Sequence, residues 1–302
     1  LPLLDTTAVK GGGEYYIASD AAQLQQAFNQ IIEAIFSEES SFTAPAVTVN
    51  AFNELSHRNE LYYATFKPDS NPRWPGNVKR YLIQDQTIID QNMNPAIDDS
   101  TGFFKENSHS YWSPEIDGKD VESGGFASQM LNNRPIFTYT GVAKPTNVDL
   151  TSTANKIALD NDALTESLLG IQTVTDQQLL DPLFDIADGI VGVTSEEKEE
   201  FFAWMQGDDV EELRDGPYNQ YVGDPLHNRP QVITYGGTAE APIDTIFTMT
   251  NQGFIHAIDA LTGSELFSFV PQQLLKNLSS YFFNESDASL VKEYGMDGQI
   301  VA

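Results

Sequence analysis

The sequence predicts a mainly β fold with an acidic, partly helical insertion, preceded by a short strand and a helix. Three observations carry this reading. From residue 45 onward, β-branched and aromatic runs of strand length recur between turns rich in Gly, Pro and Asn. Before residue 37 the apolar period is instead helical, with Leu24, Ala27, Phe28, Ile31, Ile32 and Ile35 on one face. Between residues 145 and 220 the composition changes: 174–215 is crowded with Asp and Glu and holds only Lys198 and Arg214 as cations.

In chain order, Gly11-Gly12-Gly13 forms a turn before a short strand at Glu14–Ala18. Asp20 and Gln23 then make a capping box for the helix that follows. Residues 1–36 form one module, the small and polar stretch 37–43 a linker, and 44–302 a second module. Strands are expected at Val47–Val49, Leu61–Phe66 and Val78–Ile83. In the last of these, Val78, Arg80 and Leu82 share one side, while Lys79, Tyr81 and Ile83 share the other. Within the insertion, Thr194 and Glu197 make a second capping box, opening a helix through Phe201–Met205 that Gly207 ends; Trp204 docks it on the domain. Arg134-Pro135-Ile136-Phe137-Thr138-Tyr139-Thr140-Gly141 faintly repeats Arg229-Pro230-Gln231-Val232-Ile233-Thr234-Tyr235-Gly236, with one residue of slippage, which suggests two successive units.

The last four strands, at Val232–Tyr235, Thr245–Met249, Phe254–Ile258 and Leu266–Val270, stand at hairpin spacing and form one four-stranded unit. Its final turn carries the pattern A-x-D-x-x-T-G-x-x-x-F, with Ala257, Asp259, Thr262, Gly263 and Phe267 at the fixed positions. Asp259 and Thr262 are placed to accept nearby backbone N–H groups, and Gly263 takes positive φ without steric cost. Upstream lies the corner Gly223-Asp224-Pro225-Leu226-His227-Asn228-Arg229-Pro230.

The A-x-D-x-x-T-G pattern resembles the tryptophan-docking repeat of quinoprotein-like β-propellers, whose last position is normally Trp. Phe267 fills the same gap without an indole N–H. Joined to the corner that holds Gly223, Asp224, His227 and Arg229, the pattern resembles the start of the propeller in the PilY/PilC family. Those are type IV pilus biogenesis and adhesion proteins of the pilus tip. The likeness reaches back through Trp74-Pro75-Gly76-Asn77 to Gly11–Tyr16, where the strand and helix are similar to the end of a von Willebrand factor A domain. It implies a partial propeller of roughly two blades, with further blades beyond Ala302 and the rest of the A domain before Leu1.

Composition narrows the function classes. The 302 residues include 16 basic and 44 acidic side chains, a net charge of −28, which argues against a nucleic-acid phosphate backbone or an anionic lipid surface as partner. With no Cys, thiols say nothing about compartment. No apolar run reaches the length of about 18 residues needed to span a bilayer, so no membrane insertion is expected.

No catalytic constellation stands out. His57, His109, His227 and His256 are scattered, and His256, inside an apolar strand, reads as a hydrogen-bonded core residue. One loop has the oxygen spacing of a calcium site: Asp90, Asn92, Asn94 and Asp98. Pro95 stands where such a loop needs positive φ, and Thr101 where a bidentate Glu is usual, so a solvated turn competes with a cation there. The resemblance implies a non-enzymatic, extracellular protein at the pilus tip, cell surface or outer membrane of a Gram-negative bacterium. It would support pilus assembly and tip adhesion through contacts with minor pilins or other tip proteins, and with a host or substrate surface. The rival readings are a quinoprotein-type dehydrogenase and a purely structural outer-membrane propeller scaffold.

Overall fold

The described residues form twelve strands and three α-helices. They are β1 (Phe42–Val49), β2 (His57–Phe66), β3 (Pro75–Gln84), β4 (Thr87–Ile89), β5 (Ile136–Phe137), α1 (Glu166–Leu169), β6 (Ile171–Thr173), β7 (Val191–Val193), α2 (Ser195–Met205), β8 (Val222–Gly223), β9 (Gln231–Gly237), β10 (Pro242–Met249), β11 (Ile255–Asp259), β12 (Glu265–Phe269) and α3 (Leu278–Phe283). The structure, a computed structural model, describes residues 6–7, 42–49, 57–69, 71–141, 148–173, 191–208, 222–238, 241–284 and 294–301. The chain divides into two compact units, Leu1–Ser40 and Ser41–Ala302. The strand and helix expected at 14–36 lie outside the described residues, as does much of the acidic insertion. Strand β1 begins at Phe42, inside the stretch read as linker.

The first sheet is an antiparallel meander, β1-β2-β3-β4, with β8 paired to the start of β3 through Pro75 and Gly76. The tight β3–β4 turn places both Asp85 (φ 48°) and Gln86 (φ 65°) in the left-handed region. A two-residue hairpin of this twist requires that conformation. The second sheet has the order β5-β12-β11-β10-β9; β9 to β12 form the antiparallel meander expected from the hairpin spacing, and β5 adds in parallel to β12. Strands β6 and β7 make a separate parallel pair.

The two Arg-Pro stretches do not begin two successive units. Strand β5 follows Arg134-Pro135 and β9 follows Arg229-Pro230, and the two lie at opposite edges of one sheet. The cause is the parallel pairing of Ser268 with Ile136 and Phe269 with Phe137, a long-range contact that local sequence does not encode.

Alternation along the strands sets the core. Tyr62 and Val78 of the first sheet meet Ile246 and Ile258 of the second, with Phe126 buried among them. A second cluster joins Phe254 and Val270 to Phe201 and Trp204 of α2 and to Tyr281 and Phe282 of α3. Helix α2 starts as expected: Thr194 Oγ1 accepts the Glu197 N–H (3.2 Å), and the Glu197 carboxylate accepts the Thr194 N–H (2.7 Å). Trp204 is 9% exposed and stacks on Phe201, docking the helix. Lys79 and Tyr81 share a face of β3 as expected, but that face is buried too, against residues 104–118.

Candidate functional site

The turn between β11 and β12 is built by Asp259. Its Oδ1 accepts the N–H groups of Leu261 (3.0 Å) and Thr262 (2.7 Å) and the Thr262 hydroxyl (2.9 Å). Gly263 has φ 77° and donates its N–H to the Asp259 carbonyl (2.8 Å). An indole reaches this loop, but from elsewhere in the chain. Trp112 lies so close over Gly263 that a Cβ there would sit 2.5 Å from the indole Cγ. Its Nε1–H donates to the Leu261 carbonyl at 3.2 Å, and its ring stacks on Tyr62 of β2 (5.8 Å between centroids). Sequence reasoning missed Trp112, because it stands in a polar segment without strand or helix periodicity.

Phe267 faces the other way. It lies between Phe137 (6.5 Å) and Phe247 (6.4 Å), and Tyr235 continues the row beyond Phe247. Ala257 is its cross-strand partner and is fully buried. Phe137, Phe247 and Phe267 are half-buried, and Tyr235 (64%) and Ile243 (61%) are exposed. The second sheet thus has one face packed on the first sheet and an opposite face lined by aromatic and aliphatic side chains.

The corner at 223–230 is a hydrogen-bonded joint. Gly223 leaves no room for a side chain: a Cβ would stand 2.8 Å from the Gln252 side chain. Asp224 is fully buried; its Oδ2 accepts from Asn251 Nδ2 (2.6 Å) and its carbonyl from the Asn251 N–H (2.9 Å). Asn228, which the sequence reading passed over, accepts the Met249 N–H on Oδ1 (2.9 Å) and donates from Nδ2 to the Gly298 carbonyl (2.9 Å). His227 is largely exposed, with Nδ1 2.8 Å from Asp297, and Arg229 is exposed. These residues tie β8, the end of β10 and residues 294–299 together, so the corner acts in architecture.

Of the four oxygen-bearing residues considered for calcium, Asp90 is buried and spends its carboxylate on the backbone. Oδ1 accepts the N–H groups of Asn92 and Asn94 (both 2.9 Å), and Oδ2 that of His109 (3.2 Å). Asn92 Nδ2 lies 3.3 Å from His109 Nδ1. Asp98 caps a separate turn, accepting from the Ser100 hydroxyl and from the Ser100 and Thr101 N–H groups, which hold its pKa below the usual range. The positive φ falls at Met93 (64°), not at the sixth position. Among the described residues no group of three or more His, Cys, Asp or Glu side chains is placed to hold a metal ion.

Two groups of charged side chains are buried among the described residues, and of their members sequence reasoning read only His256, as the hydrogen-bonded core residue that it is. In one, Glu265 lies between His256 (Nδ1 to Oε1, 2.7 Å) and Arg134 (3.2 Å), with all three side chains at most 5% exposed. Burial pushes Glu265 up, but Arg134 and His256 outweigh it and bring its pKa down to about 2. Burial draws His256 down, against the pull of Glu265. Arg134 also donates to the Met205 carbonyl at the end of α2, which joins the helix to the sheet. In the other, Lys79 of β3 pairs with Asp117 at 2.8 Å, both at most 2% exposed. Arg134 and Asp117 carry no sequence signature, because each meets a partner far away in the chain, Glu265 and Lys79.

No family model and no solved structure matches the chain. Over 282 residues it is 23% identical to the type IV pilus biogenesis factor PilY1 of Pseudomonas aeruginosa (strain UCBPP-PA14). That alignment covers 90% of this chain and 21% of PilY1, so the chain is similar to about a fifth of a much longer pilus biogenesis factor.

Proposed function

We propose that the chain is a surface-exposed part of a type IV pilus assembly factor and tip adhesin, acting through protein–protein contacts and not by catalysis. The observation that carries this reading is the likeness to PilY1, which runs through 90% of the chain. The geometry supports a contact role: the polar residues of the corner and the turn hold architecture, while one face of the second sheet presents apolar side chains. We read the two stacked sheets as the first part of a quinoprotein-like propeller, with Trp112 in the docking role over Gly263. Residues 1–36 then belong to a preceding von Willebrand factor A-like module.

On this reading the partners are minor pilins or other tip proteins, met outside the cell. No helix of the described residues is long and apolar enough to cross a membrane. Calcium at residues 90–98 is left out of the proposal, because the Asp90 oxygens already serve three backbone N–H groups. The test is to delete the second module from Pro45 onward in the intact protein and count surface pili, with protein level checked by blot. Loss of piliation is expected. Normal piliation with stable protein would overturn the assembly role.

A further inference from the structure

We propose that Lys79 and Asp117 condense to an intramolecular isopeptide bond. This goes beyond the proposed pilus role and does not depend on it. Lys79 Nζ has three neighbours: Asp117 Oδ2 at 2.8 Å, the Asp117 carbonyl at 3.2 Å and the Gly118 carbonyl at 3.3 Å. An ammonium fills all three. When the proton on the first contact passes to Oδ2, the two remaining N–H groups stay on the carbonyls and the lone pair faces the carboxyl group. Burial draws the Lys79 pKa down, against the pull of Asp117, and so lowers the cost of freeing that lone pair.

The carboxyl group is held in a way that suits attack. Its Oδ1 accepts the Ser110 N–H (2.8 Å), a donor for the negative charge that develops on that oxygen. Its Oδ2 accepts the Ser110 hydroxyl (2.7 Å), which is hydrogen-bonded in turn to Ser113 Oγ (2.7 Å). Glycine seals the site: a Cβ at Gly124 would lie 2.5 Å from Asp117 Oδ2 and 2.3 Å from Ser113 Oγ.

The step balances without an oxidant or a cofactor. Nζ bonds to Cγ, the Cγ–Oδ2 bond breaks, and Oδ2 leaves as water. It carries the proton already transferred and a second one from nitrogen, relayed by the Ser110 hydroxyl. The amide keeps one N–H for a backbone carbonyl and its oxygen for the Ser110 N–H.

The test is mass spectrometry of the purified full chain after denaturation and tryptic digestion. The intact protein is expected to be one water lighter than its sequence. Trypsin should spare Lys79, giving a branched peptide that joins it to Asp117. Lys79→Arg should restore the sequence mass; if that variant fails to fold, the branched wild-type peptide stands as evidence alone. An unmodified mass in folded protein overturns the proposal. So does a succinimide at Asp117-Gly118, which loses the same water but leaves Lys79 cleavable.

Discussion

Gly263 is required twice over, by its φ of 77° and by the indole above it. Gly263→Val should therefore cost more than the roughly 1–3 kcal/mol of backbone strain alone, because Trp112 must also leave its place. Urea unfolding measures this, and a midpoint equal to wild type would refute the assigned turn. A second residue-scale prediction concerns pH. His256 has a folded pKa below its unfolded value of about 6.5, so the unfolded chain takes up protons first as pH falls, and stability drops from there. Glu265, held near 2, adds a loss of the same sign at lower pH, as its carboxylate is protonated first in the unfolded chain. Between about pH 6.5 and 5, His256→Gln should flatten the urea midpoint's dependence on pH. An unchanged slope would place the titration elsewhere.

Elements were legible where the signal was local. The meander β9–β12 follows from alternation and turn residues within forty positions, and α2 from its capping box. Strand β5 was legible as a strand but misplaced, since nothing in Arg134-Pro135-Ile136-Phe137 says that it pairs in parallel with β12. Strand β4 is three residues long and turns through Asp-Gln where sequence rules look for Asn-Gly, and it escaped notice. The candidate site divides in the same way. Asp259, Thr262 and Gly263 were legible as one turn, whereas Trp112, Asp117 and Glu265 act on residues far away in the chain. Because both halves of the Thr194–Glu197 capping box are formed, Thr194→Ala should lower stability by about 1 kcal/mol. Thermal unfolding would check it. A change confined to a few tenths would mean that tertiary packing of Phe201 and Trp204, not the cap, sets where the helix begins.

For the whole molecule, surface charge and the half-buried aromatic face of the second sheet pull in opposite directions. A net charge of −28 keeps copies apart, while the row Tyr235–Phe247–Phe267–Phe137 on the second sheet favours association. Residues 44–302 produced alone should be poorly soluble or bound to a partner, the more so as salt screens the repulsion. Size-exclusion chromatography with light scattering across a salt series tests this. A monodisperse monomer at every ionic strength would show that the face needs no partner and would count against the propeller reading.

The contact between Trp112 and the Asp259 turn also sets a timetable for synthesis. Tyr62, Val78 and Trp112 are made early, yet the surfaces that cover them, Ile246, Ile258 and Gly263, are made late. About 150 residues separate the indole from its glycine, so at roughly 5–20 residues per second the first sheet waits on the order of 10 seconds for its lid. During that interval Tyr62, Val78 and Trp112 lack the partners that bury them, the state in which a chaperone would find most to hold.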